Sequence, residues 1–98
     1  MKTATLVRNL KWRGDARLYR LSEPVEYGYS YDGETLPKTD HVVVSATVVG
    51  YGEGPETYIF PGAADSDEPL AWGEMDGSFK GGLDHAEALR GLGFEVTA

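Results

Sequence analysis

Cysteine is absent from all 98 residues, which excludes disulfides, thiolate metal ligands and thiol nucleophiles together. Histidine is scarce, with only His41 and His85, and neither has a partner at metal-pair spacing. No apolar run approaches the roughly 18–20 residues that a membrane helix needs. The stretch Met1 to Arg8 has no apolar centre of a secretion signal, so neither membrane insertion nor export is expected. Basic residues are also few: nine Lys and Arg stand against sixteen Asp and Glu, for a net charge of −7. Duplex nucleic acid is bound mainly by neutralising phosphates, so this balance argues against a general DNA-binding role. No phosphate-binding loop, dinucleotide fingerprint or nucleophile elbow follows a strand-like segment, so neither an enzyme nor a resident cofactor is expected.

What remains is an ordinary globular composition, with 41% hydrophobic and 26% charged residues, and a length suited to a single domain spanning 1–98. The charge is unevenly spread. Residues 1–20 hold six basic residues against Asp15 alone, whereas residues 51–98 hold ten acidic residues against Lys80 and Arg90. Such segregation steers partners and self-association and says little about fold.

Strand-like segments dominate the first two thirds. Residues 3–10 are rich in β-branched side chains and stop before Gly14-Asp15, a turn signal, and residues 16–21 read as the returning strand of a hairpin. Glu23-Pro24 predicts a break in the ladder, because proline has no amide to donate. In residues 25–31 a period of two places Val25, Tyr27, Tyr29 and Tyr31 on one face, and Pro37 ends the linker that follows. His41 to Val49 is apolar or small on both faces, the pattern of a central strand covered on both sides. Thr57 to Phe60 reads as a short strand closed by Pro61-Gly62, with an edge exposed for pairing. Residues 63–82 show no period and read as a long surface connection pinned by Trp72 and Phe79. Asp84 and Glu87 form a capping-box signature for one helix, whose stripe is Leu83, Ala86, Leu89 and Leu92 and whose stop is Gly91 or Gly93. Phe94 to Val96 reads as a terminal strand. The expected fold is α+β: a single domain with an antiparallel sheet of five or six strands and one C-terminal helix packed on it.

The residues with the most chemistry lie on the basic hairpin. Lys11, Trp12 and Arg13 cluster at its tip, and Arg17 and Tyr19 share a face of the second strand. Guanidinium forks beside a flat ring suit a small anionic ligand, holding a phosphate and stacking a base. The competing reading packs Trp12 and Tyr19 at the core edge and leaves the arginines solvated or paired with the acidic half. Arg13-Gly14-Asp15 matches an adhesion tripeptide, but Gly and Asp are also what a hairpin tip requires. Asp65-Ser66-Asp67-Glu68 opens like a calcium loop, yet proline follows and no glycine stands sixth, so no metal site is assigned there, with or without Glu74 and Asp76. The tyrosine stripe at 27, 29 and 31 suits either a partner surface or the inward face of a strand.

The segments Lys11 to Tyr19, His41 to Ala46, Glu56 to Pro61, Trp72 to Phe79 and Leu83-Asp84-His85 resemble a group of small uncharacterised proteins encoded by bacteriophages of actinobacteria. The likeness extends over most of the chain but includes no recognised catalytic or binding motif. It implies a protein made in the cytoplasm of the infected bacterial cell, and no reaction. The expectation is a non-enzymatic accessory protein that binds a host or phage protein, with a homodimer as one form. The alternatives are a nucleotide-sequestering protein that uses the basic hairpin, and a minor virion component.

Overall fold

The computed structural model describes residues 2–10, 15–28, 36–49, 54–71 and 75–97. Among these described residues six strands and one helix follow in chain order: β1 (Thr3–Asn9), β2 (Asp15–Glu26), β3 (Lys38–Val49), β4 (Gly54–Gly62), β5 (Phe79–Lys80), α1 (His85–Leu92) and β6 (Glu95–Thr97). They form one sheet in the order β5-β4-β3-β2-β1-β6.

Every neighbouring pair is antiparallel except β1 with β6, which run parallel. This corrects the purely antiparallel sheet expected from the sequence. The physical reason is the connection. Antiparallel neighbours are joined by hairpins, whereas a parallel strand needs a crossover of a dozen or more residues, usually helical. Here α1 is that crossover, carrying the chain from β5 at one edge to β6 at the other.

The valine strand is central, as its two apolar faces require. It pairs with β2 on one side and β4 on the other. Val42 and Val44 join Ala4, Tyr19, Leu21 and Ile59 beneath Ala88, Leu89 and Phe94, while Val43 faces the opposite side with Leu10, Ala16 and Leu18. Pro24 does not end β2. Its disturbance is instead a register shift between Arg20 and Val25 in the pairing with β3, and the strand runs on to Glu26. Of the tyrosine stripe, Tyr27 is half-buried and its amide donates to the Pro37 carbonyl. Tyr29 and Tyr31 lie outside the described residues.

β4 is longer than expected and its outer edge is occupied. Glu56 and Thr57 pair with β5. The Ser78 hydroxyl accepts from the Ile59 amide. The Met75 amide donates to the Ile59 carbonyl, and the Leu70 amide to that of Pro61. The strand-like Thr57 to Phe60 therefore offers no open edge, and the connection after it carries the short strand β5. Phe79 packs against the core as expected, while Trp72 lies outside the described residues.

The helix begins and ends where its caps dictate. Asp84 Oδ1 accepts from the Glu87 amide at 3.1 Å. Gly93 adopts a left-handed φ of 107° and its amide donates to the Arg90 and Leu89 carbonyls, a conformation that costs glycine nothing. The inward face differs from the expected stripe: His85, Ala88 and Leu89 are buried, whereas Leu83 precedes the helix and is exposed.

Candidate functional site

Period-2 spacing places Asp15, Arg17 and Tyr19 on the helix-covered face of β2. The first turn of α1 arrives there because Thr57 anchors its approach: the Thr57 hydroxyl donates to the Gly82 carbonyl at 2.8 Å and accepts from the Asp84 amide at 3.2 Å. Together Asp15, Arg17, Tyr19, Leu83, Asp84, His85, Ala86 and Val96 line a cleft of about 300 Å³.

The centre of the cleft is a polar cluster. Arg17 donates to both oxygens of Asp15, from Nε at 3.2 Å and from Nη2 at 2.9 Å. The Tyr19 hydroxyl lies 3.5 Å from His85 Nδ1. His85 Nε2 lies 3.4 Å from Asp15 Oδ2, yet it is buried and has no hydrogen-bond partner. Burial first, and the Arg17 charge second, push the imidazole below its ordinary range, against the pull of Asp15. Interaction with the Tyr19 hydroxyl first raises the already high value of Arg17, burial opposes it, and the nearby Asp15 adds to the rise. The cluster thus holds a fixed cation, a neutral ring with an unused polar atom, and a carboxylate that pairs with the cation and lies close to the ring.

Of the residues singled out in the sequence, Arg17 and Tyr19 meet in this cleft, whereas Lys11, Trp12 and Arg13 lie outside the described residues. Tyr19 is 2% exposed, so it presents its hydroxyl and not an open ring face for stacking. Arg17 is paired with Asp15, the arrangement of the competing reading. Sequence reasoning missed the roles of Asp15 and His85. A period-2 reading carried one step back from Arg17 reaches Asp15, but nothing local signals that a helix from the other end of the chain delivers His85.

A second depression, of about 410 Å³, is lined by Pro24, Lys38, Thr39, Asp40, His41, Gly62, Ala63, Ala64 and Leu70. Asp40 Oδ1 and His41 Nδ1 are 2.7 Å apart, so that ring has a partner. In the acidic loop, Arg8 donates to Asp67 Oδ1 at 3.0 and 2.9 Å and to the carbonyls of Ala64 and Ser66 at 2.9 and 3.1 Å. Among the described residues no three His, Asp or Glu side chains are grouped to hold a metal ion, and no helix is long and apolar enough to cross a membrane. The chain matches no family model, no curated protein and no solved structure.

Proposed function

We propose that the chain is a non-enzymatic accessory protein that works by binding another protein in the cytoplasm of a phage-infected bacterium. One observation carries this reading: among the described residues β6 borders the sheet, paired with β1 alone, and its Val96 and the nearby Leu83 are 38% and 50% accessible. A strand edge offers backbone donors and acceptors to an added strand, and adjacent apolar side chains supply contact area. The occupant is an extended segment of a partner protein. Its basic character follows from the net charge of −7 and from Glu95 on the edge strand itself, since opposite potentials speed encounter and select partners.

Affinity capture from host lysate with the wild-type chain and a Leu83→Lys/Val96→Lys variant tests this reading. Retention of one specific protein by the wild type, lost in an equally stable variant, is the expected result. Equal retention by both, or a wild-type chain that pairs only with itself in sedimentation, overturns it. The nucleotide-sequestering reading is second: Arg17 and Tyr19 do line one cleft, although Tyr19 offers it no open ring face for stacking a base.

A further inference from the structure

We propose that the cleft between β2 and the start of α1 is a seat for an oxyanion group, carboxylate or phosphate, which the Asp15 carboxylate fills from within and yields to a ligand. Three features converge on that seat. The Arg17 fork binds the resident carboxylate through two N–H groups, a geometry that matches carboxylate and phosphate oxygens equally. His85 is 7% exposed and its Nε2 is buried without a partner, although it points toward the same carboxylate from 3.4 Å. Finally, Asp84, His85 and Ala86 at the start of the eight-residue α1 line the cleft, and a helix N-terminus favours negative charge.

The His85 bond is the telling one. With the proton on Nε2, the Tyr19 hydroxyl donates to Nδ1, leaving Nε2–H directed toward Asp15, whose backbone carbonyl and carboxylate both lie near it without a hydrogen bond of good geometry to either. A buried donor left unused is costly. Asp15 is tethered to its own strand two residues from Arg17, so its carboxylate serves the guanidinium without serving the imidazole. A free oxyanion has no such tether and can satisfy both. Asp15 is also displaceable, because its side chain is 53% exposed and it is the first residue of β2.

The seat sets one fixed cation, Arg17, against the carboxylates of Asp15 and Asp84, and its wall is mixed. Leu83, Ala86 and Val96 supply apolar contact beside the polar cluster. The ligand class is therefore a small organic anion with one oxyanion end and an apolar or flat body. This inference goes beyond protein binding, and its test contains no partner protein, so its failure leaves the β6 edge reading standing.

The ring signals of His85 in the full chain report the seat, with His41, which lines the other depression, as internal reference. Asp15→Ala empties the seat. Acetate and inorganic phosphate are then expected to shift the His85 signals saturably while His41 stays fixed, and the wild type should need at least about tenfold more of either anion. Butyrate is expected to bind more tightly than acetate, by about threefold to fourfold for each methylene buried on the apolar wall. Phosphate and adenosine monophosphate form the second arm, and tighter binding there assigns the seat to a phosphate-bearing ligand. Adding Arg17→Met to Asp15→Ala should abolish the shift with every probe, and Arg17→Lys, which keeps charge but not the fork, should weaken it. Absence of a saturable His85 shift in Asp15→Ala, or its survival in the Asp15→Ala/Arg17→Met double variant, overturns the proposal. Melting curves establish that each variant is folded at the temperature of the titration.

Discussion

The two faces of the sheet are closed by different physics. On one, α1 and Phe94 bury Ala4, Tyr19, Leu21, Val42, Val44 and Ile59 in a continuous apolar cluster. On the other, the buried cluster among the described residues is Leu10, Ala16, Leu18 and Val43. There the register aligns Arg8 with Leu18, and Arg8 reaches out to hold the 64–67 segment through Asp67 and two carbonyls. The chain also approaches closely at Gly62, where a Cβ would lie 3.2 Å from Leu18 Cδ1 and 3.3 Å from Val43 Cγ2. One face rests on apolar burial, which salt does not weaken, and the other adds a polar staple on the surface, which salt does.

The largest expected effect breaks the helix-covered face at its centre. Val44 is fully buried, so Val44→Asp places an unpaired carboxylate among hydrocarbons at a cost of several kcal/mol, against a total stability of about 5–15 kcal/mol. Loss of the cooperative melt by circular dichroism is expected. A variant that melts like its parent would refute the central placement of β3. The next effect sharpens the comparison with a pair of glycines. Gly77 and Gly81 both have positive φ, 98° and 99°, but a Cβ on Gly77 would lie 2.3 Å from the Ala88 carbonyl oxygen of α1, whereas nothing lies near a Cβ on Gly81. Gly77→Ala should therefore cost about 2–4 kcal/mol by forcing the helix off its face, and Gly81→Ala about 1 kcal/mol from backbone strain alone. Equal losses in denaturant titrations would mean that the approach of residue 77 to α1 is not tight.

These residues also mark what was readable in the chain. The valine run, the Asp84 cap and the Gly93 stop are local signals, and each acts where its chemistry places it. The parallel pairing of β6 was not readable, because three residues of strand carry no mark of which partner they join across a helical crossover. Pro24 is tolerated for a related reason: proline forbids a ladder bond only where one is needed, and the register shift between Arg20 and Val25 removes that need. The anchoring of the acidic connection was equally hidden, since Arg8 and Asp67 are 59 positions apart and no periodicity links them. The cleft followed the same rule. Arg17 and Tyr19 share a strand face by period two, but His85 joins them only through the tertiary path of α1.

A smaller effect separates the staple from the core. Both partners of the Arg8–Asp67 pair are partly exposed, with side chains 36% and 63% accessible, so its ionic part is worth little and most of its value is in the hydrogen bonds to the loop carbonyls. Arg8→Met should cost about 1 kcal/mol, and the difference from wild type should shrink at high salt. The sharper reading is local. Hydrogen exchange at the Leu70 amide, which donates to the Pro61 carbonyl at 2.8 Å, should quicken well before that of amides in β3. Uniform acceleration across the sheet would show instead that the thin face and the helix-covered face open together.

The smallest effect is a pH dependence rooted in the helix-covered face. Burial and the Arg17 charge lower the His85 value in the folded chain, so as pH falls the unfolded chain takes up its proton first, near the ordinary value of about 6.5. Stability contributed by the neutral ring is complete above that value and is lost as pH falls through the lowered folded value. Melting temperatures of wild type and His85→Gln compared between about pH 7.5 and 5 isolate this contribution, because His41 and every carboxylate are common to both chains. The wild type should lose more on acidification than the variant, and the gap should narrow in Arg17→Met, which removes the repelling charge and frees Asp15 to hold the protonated ring. If His85→Gln instead tracks the wild type across the whole range, His85 is not held neutral by its surroundings, and its ring at the start of α1 is more open to water than the apolar core beside it.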